Sequence, residues 1–579
     1  MSEKGLKIIG LCLAKITEQL QTDIIQFIKD KAEERGYTLL IFATFSDLYH
    51  QNRSDMGEQA VFDMINYDML DGMIILSETI KSDAVVADII KNCNKHHLPV
   101  VSIDKAVEGA YNILYEYRHA FKEIVRHVIE EHGCRRINLI AGIKDNDFSE
   151  DRVEAFKEVL QEYEIPFEAE RMGYGDFWEG PTVEVMNKFL ESELVFPEAI
   201  VCCNDSMAMT ACKVLEKNGY NIPQDVIVTG FDGAEMEKYH IPRLTTAQQN
   251  IEKACETAVE TIMNVAGGLA VEKMQYVPFD MVASQSCGCV SLQDKEKVKR
   301  VIDVYNVMNY RMDYDEYVSR MSIGMSDADN FMDAREVVYN YAFYMSRFCI
   351  CDGVMDTDYF DDERKCELTD RVKLFMKKEA EGVPREKYID KIEDMIELPI
   401  AKIVPDLYDM LEHHSPVIVS TVHFLDKVLG YYVVSLFGYR ENFINLRYFI
   451  NTLNQSLYNL CNTERMRFFI MKDPMTAIYN RRGFYQMIKK WLAQVTEYEK
   501  YRIMVHSIDL DGLKYINDTF GHKAGDNAIV VAAEKLVEAA EHGEICARFG
   551  GDEYVVFGIV SKEEAEDVCQ KYAKRFFAL

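Results

Sequence analysis

The chain has 579 residues, 48% hydrophobic and 28% charged, which excludes a disordered or fibrous polypeptide and calls for several cores, since one core rarely grows past about 300 residues. Its formal net charge of −31 argues against nucleic acid or an anionic membrane as a general partner. The start, Met1-Ser2-Glu3-Lys4-Gly5-Leu6, lacks a signal-peptide layout, and no stretch reaches the ~20 apolar residues of a membrane helix, so a cytoplasmic setting is expected.

The 15 cysteines are scattered and read as reduced thiols. Cys202-Cys203, Cys287-Gly288-Cys289 and Cys349-Ile350-Cys351 are close pairs. None has the C-x-x-C spacing of a zinc site, and no metal is expected at them.

Lys7 to Leu13 reads as a strand. The helix after it puts Leu20, Ile24, Phe27, Ile28 and Ala32 on one face and ends near Gly36. Further apolar strands fall at 38–44, 72–76, 99–103, 136–141, 199–202 and 226–230, with helical stretches between them. Continuous apolar strands alternating with helices imply a parallel sheet covered on both faces. Ligands of such sheets sit beyond the strand C-termini, where this chain has Asp104, Asn204-Asp205 and Asp232. The same residues also suit helix caps and turns.

Residues 7–290 resemble the sugar-binding domain of the LacI/GalR repressors, a type I periplasmic-binding-protein fold. The resemblance is carried by Arg152-Val153-Glu154-Ala155-Phe156, Cys203-Asn204-Asp205-Ser206-Met207-Ala208, Pro223-Gln224-Asp225-Val226, Gly230-Phe231-Asp232 and Pro242-Arg243-Leu244-Thr245-Thr246. It implies a cleft between two lobes lined by Arg152, Asn204, Asp232 and Gln249, with Trp178 or neighbouring Phe177 stacking on a sugar-like effector. Plain packing is the alternative for Trp178. Repressors of this family begin with a helix-turn-helix head, whereas here the first sheet strand starts at Lys7.

Residues 291–325 read as a helical connector. Residues 326–440 resemble a GAF-like α+β domain: a helix opens at Asp333, and 416–422 and 430–436 form a strand pair. Residues 441–470 read as a coiled-coil signalling helix. Phe443, Leu446, Ile450, Leu453, Leu457 and Leu460 alternate spacings of three and four, a heptad seam that would make a homodimer. An amphipathic helix packed on its own domain has the same spacing.

In the last segment, Met504 to Ile508 is an apolar run ending at Asp509 and Asp511. Arg548-Phe549-Gly550-Gly551-Asp552-Glu553-Tyr554 reads as strand, Gly-Gly turn, strand. If the two strands are neighbours, the carboxylates converge and call for a cation. All-oxygen ligands suit Mg²⁺ or Mn²⁺ shared with substrate phosphates. With Asp473-Pro474-Met475-Thr476 to Phe484 as opening signature, the segment resembles the GGDEF family of diguanylate cyclases, reading GGDEY where the family has GGDEF.

The resemblance implies condensation of two GTP into cyclic di-GMP by two facing domains. It assigns Asp509, Asp552 and the Leu510 carbonyl to the metal, and Glu553 to deprotonation of the attacking hydroxyl. Asn517 and Asp526 would bind guanine. Gly512, Leu513 and Lys514 would lie under the phosphates, with Gly550 and Gly551 allowing close approach. Three departures stand out. Glu541 and Glu544 replace the family's Arg-x-x-Asp product site, Ala477-Ile478 replaces Gly-Leu, and residues 471–579 cover about two thirds of the family's domain.

The expected whole is an α/β multidomain protein: a two-lobed sensor, a GAF-like middle, a signalling helix and a partial GGDEF domain. The expected function is a cytosolic, sugar-regulated diguanylate cyclase without nucleic-acid or membrane partners. The alternatives are a signalling protein with an inert GTP-binding domain, or a LacI-like regulator without its own DNA-binding head.

Overall fold

The computed structural model describes residues 5–291 (except 235, 236 and 238), 314–355, 367–379, 395–436, 440–494, 498–540 and 544–563, with 565, 568, 570 and 574 beyond. Most of the expected 291–325 connector, and Glu541, lie outside them. The chain forms two compact units, Met1–Asp352 with Lys365–Ser456, and Gly353–Arg364 with Leu457–Leu579.

In the first unit, β1 (Lys7–Leu13), β2 (Tyr37–Ala43), β3 (Gly72–Ile75), β4 (Val100–Ile103) and β5 (Tyr111–Tyr115) are parallel neighbours. β1 buries six of its seven residues, because helices cover both faces of the sheet. The Gln19–Glu33 helix buries Ile24, Ile28 and Ala32 as the pattern predicts. Leu20 and Phe27 turn instead towards a cleft.

The second lobe has β6 (Ile137–Ala141), β7 (Met172–Tyr174), β8 (Ala199–Cys202) and β9 (Ile227–Thr229), in the order β7-β6-β8-β9. Its core joins Phe121, Ile124 and Val128 of the Tyr117–Glu130 helix to Phe156, Val201 and Phe231. β10 (Thr246–Gln249), β11 (Met274–Val277) and β12 (Phe279–Val282) complete the two lobes. β11 joins β5 in the first sheet, while β10 and β12 pair with each other. The chain thus crosses between lobes next to Asp104, Gln249 and Asp280.

The middle region holds β13 (Ser346–Cys351), β14 (Arg371–Lys378), β15 (Glu397–Pro399), β16 (Val417–Phe424) and β17 (Lys427–Ser435), paired antiparallel. The helix and the strand pair expected there are present, at Phe331–Tyr341 and in β16–β17. Its separateness is not. β16 pairs parallel with β2, Ile418 opposite Ile41, so first-lobe and middle strands form one 11-stranded sheet. An open sheet edge is a pairing hazard that neighbours cover, and here β16 covers β2.

One helix runs from Arg440 to Met471. All six seam positions are buried within this single chain, between 0% and 4% exposed. Phe449, on the same helix, packs against Phe343 and Tyr432 of the middle region. Over Phe443–Leu453 the apolar spacing therefore marks an amphipathic helix seated on its own unit, not a free coiled-coil seam.

In the second unit, β18 (Tyr479–Asn480), β19 (Tyr501–Asp509), β20 (Ile545–Gly550) and β21 (Glu553–Ser561) form a sheet ordered β18-β20-β21-β19. Ile529, Ala533 and Leu536 of the His522–Ala539 helix pack with Met504, Tyr554 and Val556. A smaller core gathers Phe484, Ile545, Ala547 and Phe557. Tyr501, Ile503 and Val505 stand exposed on β19, one of the two outer strands of this sheet among the described residues.

Candidate functional site

β19 and β21 run antiparallel with Asp509 directly opposite Glu553. The Leu510 amide donates to the Asp552 carbonyl at 3.1 Å. The two acidic motifs, 43 positions apart in sequence (552 − 509), therefore meet at one end of one strand pair. Gly550 (φ +153°) and Gly551 (φ +55°) make the reversal that places Asp552 there, backbone that side-chain-bearing residues rarely adopt. Asp509, Asp511 and Glu553 are exposed. No Lys, Arg or His pairs with them or with Asp552 among the described residues. This all-oxygen set fits Mg²⁺ or Mn²⁺, which keep several waters and take one or two carboxylates.

Gly512, with φ +81°, caps the Leu513–Phe520 helix. The free amides of that first turn form a partial positive charge suited to phosphate. Gly521 then bends the chain into the His522–Ala539 helix. Gly525 packs so closely on Asn517 that an added Cβ would lie 2.0 Å from its Oδ1. This contact sets Asn517 beside the turn of helix that carries Asp526. Asp509, Leu510, Gly512 and Gly550 to Glu553 thus lie at strand ends and turns, and Leu513, Lys514, Asn517 and Asp526 on the two following helices, all within one unit.

The opening signature is a structural lock. Asp473 Oδ1 accepts from the Thr476 amide at 3.0 Å and from Arg548 Nη1 at 3.1 Å. Asn480 Nδ2 donates to the carbonyls of Ile470 at 2.9 Å and Lys472 at 3.0 Å. Gly483 lies where a Cβ would be 2.0 Å from the Met471 carbonyl. The end of the long helix is thereby held against the sheet that carries the acidic site.

Between the two lobes lies a cleft of ≈ 1010 Å³. Arg152, 6% exposed, donates to the Cys203 carbonyl and to Asp232 Oδ1, and stacks over the Phe231 ring at 4.4 Å. Asn204 caps the Asp205–Lys217 helix through the Met207 amide at 2.9 Å, leaving its Nδ2 at the cleft wall, 3.4 Å from the Phe177 carbonyl. Gln249 donates to Tyr117 Oη at 2.7 Å, and Tyr117 donates to Asp104 at 2.7 Å. Burial pushes the Asp104 carboxyl up to about 7. Asp205 is buried behind the wall, holding the Ala234 amide at 2.6 Å, and burial pushes its carboxyl up to about 8.

Arg152, Asn204, Asp232 and Gln249 all line the cleft, as expected from the sequence. Trp178 does not. It is 71% exposed at the start of the Glu179–Glu191 helix. Asp176 and Phe177 both take positive φ, and this backbone turn aims Phe177, not Trp178, into the cleft. Sequence reading missed Tyr117 and Phe148, which add rings to the wall. They sit at helix starts just after strands β5 and β6, but aromatic residues there carry no distinctive signature.

Residues 125–287 match the periplasmic binding protein-like domain family, and residues 470–577 match the GGDEF domain family of diguanylate cyclases. The chain is 25% identical over 274 residues to the HTH-type transcriptional repressor PurR of Actinobacillus pleuropneumoniae serotype 3 (strain JL03), covering 47% of this chain and 76% of that protein. It is 25% identical over 301 residues to the HTH-type transcriptional regulator MalR of Clostridium butyricum, covering 50% and 84%. Among solved structures, a LacI-family regulatory protein from Chloroflexus aggregans aligns with TM-score 0.39 at 20% identity, over 48% of this chain and 98% of that one. A complex of the transcriptional regulator CelR with cellobiose aligns with TM-score 0.38 at 18% identity, over 49% and 86%. The chain thus carries a periplasmic-binding-protein-like domain and a GGDEF domain. Among the described residues, no helix is long and apolar enough to cross a membrane.

Proposed function

We propose that the protein is a diguanylate cyclase whose output is set by a small neutral ligand in the two-lobed cleft. The observation that carries the catalytic half is the pairing of Asp509 with Glu553 beside the Leu510–Asp552 bond. Asp509, Asp552 and the Leu510 carbonyl would hold Mg²⁺ or Mn²⁺, which supplies Lewis-acid stabilisation of phosphoryl oxygens. Glu553 takes the proton of the attacking 3′-hydroxyl. Asn517 and Asp526 hold the guanine edge, Asp526 accepting from its N–H donors. The amides after Gly512 carry the phosphates. Joining two GTP needs two such domains face to face, and we infer a homodimer. Met466, Phe469 and Ile470, exposed at the end of the long helix, are candidate contacts.

The cleft chemistry narrows the ligand. Asp23, Glu78, Asp104, Asp232, Glu252 and Asp280 line it against Arg152 and Lys81. An acidic wall disfavours phosphorylated or carboxylated ligands. Paired planar donors with Phe177 and Tyr117 suit a neutral sugar's hydroxyls and apolar face. A cytoplasmic setting is part of this proposal, since GTP is a cytosolic substrate.

The test is product analysis. The protein is incubated with GTP and Mg²⁺, and cyclic di-GMP is sought by chromatography with an Asp552→Ala, Glu553→Ala double variant as control. Product that vanishes in the variant supports the cyclase. GTP binding without product supports the second reading, an inert nucleotide-binding domain. The exposed apolar row Tyr501, Ile503, Val505 favours that reading, since it leaves the β19 edge of one sheet face uncovered. Calorimetry with neutral mono- and disaccharides tests the cleft, and binding that survives Arg152→Ala would place the ligand elsewhere.

A further inference from the structure

Four side chains used by neither the cleft nor the acidic site converge at one end of the second lobe. His127 lies in the last turn of the Tyr117–Glu130 helix, and His132 in the turn that follows. Cys287 and Cys289 flank Gly288, whose φ of +92° bends the segment after β12. His127 Nε2 is 3.3 Å from His132 Nε2, 3.5 Å from Cys287 Sγ and 3.7 Å from Cys289 Sγ. His132 Nε2 is 3.5 Å from Cys289 Sγ. All four atoms lie within 4.8 Å of one another.

Hydrogen bonding does not account for this cluster. A neutral ring nitrogen has either one hydrogen or one lone pair, and His127 Nε2 faces three partners. A tetrahedral metal fits better. With metal–sulfur bonds of ~2.3 Å and metal–nitrogen bonds of ~2.0–2.1 Å, its nitrogen–nitrogen edge is about 3.3 Å and its nitrogen–sulfur edges about 3.6 Å. The four separations of 3.3, 3.5, 3.5 and 3.7 Å follow those edges. Two thiolates also cancel a divalent charge, so the filled site would be neutral where Cys287 is only 2% exposed. Cys289 is exposed and gives the ion a way in.

We propose that His127, His132, Cys287 and Cys289 form a closed, four-coordinate zinc site. Two imidazoles and two thiolates leave no open position, which is the pattern of a structural rather than a catalytic zinc. The site ties the last residues of the two-lobed domain, just before Ser291, to a helix of the second-lobe core.

The full chain is purified in reductant without added metal and its metal content measured. About one zinc per chain is expected, falling to near zero in Cys289→Ser and in His132→Asn. Cobalt added to metal-free protein is expected to give a thiolate charge-transfer band and the strong ligand-field absorption of tetrahedral Co²⁺, both lost in the same variants. Circular dichroism of Cys289→Ser, an exposed position, shows that the fold is kept. Metal content unchanged by the variants, absence of both zinc and the cobalt bands, or a Cys287–Cys289 disulfide under reductant would each overturn the assignment.

Discussion

Asp473 Oδ1 accepts from Arg548 Nη1 at 3.1 Å, and the same guanidinium donates from Nε and Nη2 to the Gly551 carbonyl at 3.0 and 2.8 Å. One arginine therefore connects the first residue of the opening signature to the turn that carries Asp552. The pair is largely sheltered, with side chains 20% and 10% exposed. Removing one partner of such a pair leaves a charge without its counter-ion. Asp473→Ala is expected to cost about 2 kcal/mol and to lower cyclic di-GMP formation several-fold. Urea unfolding of the second unit and the product assay check the two effects.

The same pair sets an acid limit. Burial pushes the Asp473 carboxyl up, but hydrogen bonds from Thr476 and Arg548 outweigh it and hold the native group below its ordinary 3.8. A carboxyl lowered in the native state contributes stability that is complete above its unfolded value. That stability is lost as pH falls through the native value. The second unit should lose stability in the window from just above 3.8 downwards, and Asp473→Asn should flatten that part of the curve. Urea midpoints measured along the acid arm for both proteins decide it.

Tyr554 is 1% exposed, and its hydroxyl donates to the Ile529 carbonyl at 2.8 Å. This accounts for tyrosine where the GGDEF motif ends in phenylalanine: the ring fills the core and the hydroxyl fastens the strand to the helix beneath. Tyr554→Phe should cost about 1 kcal/mol, the net worth of one buried hydrogen bond. It should leave GTP turnover unchanged, because the hydroxyl points away from the acidic site.

Ala477 sits at φ +56°. A Cβ in the left-handed region costs about 1–2 kcal/mol, partly offset by the greater freedom of glycine in the unfolded chain. Ala477→Gly should therefore stabilise the second unit by up to about 1 kcal/mol, read as a higher urea midpoint with unchanged slope.

What the sequence revealed and what it hid follow from the range of the interactions. The acidic site was legible because its determinants are local: glycines that need positive φ, and carboxylates next to apolar strands. Arg152 and Asp232 were legible as parts of segments that travel together. The sequence left Trp178 and Phe177 both open as the cleft ring, because two successive positive φ values, at Asp176 and Phe177, decide which neighbour faces inward. The seam of Phe443 to Leu460 has one spacing and two possible partners, and only packing separates them. The His127–Cys289 cluster was hidden because C-x-C is not a zinc spacing by itself. Its other two ligands come from a helix end about 155 residues earlier (287 − 132).

The β2–β16 pairing was also hidden, since strand patterns do not name their neighbours. It carries the last prediction. Gly57, in the Arg53–Gln59 helix of the first lobe, lies where a Cβ would meet the Leu425 carbonyl at 2.1 Å and His423 Nδ1 at 2.2 Å. Neither neighbour yields easily: one is backbone, and His423 is 6% exposed. Nearby, Arg53 pairs with Asp426 at 2.7 Å, and Ser420 Oγ donates to the Ala43 carbonyl at 3.3 Å. Gly57→Ala should force the middle region off the first lobe at a cost of about 1–3 kcal/mol. Gly180→Ala, with nothing within 4 Å of its added Cβ, is the matched control. If the shared sheet makes the first lobe and middle region one cooperative body, the Gly57 variant should show one more resolved calorimetric step than the control. An unchanged number of transitions in the Gly57 variant would mean that the shared edge carries little coupling.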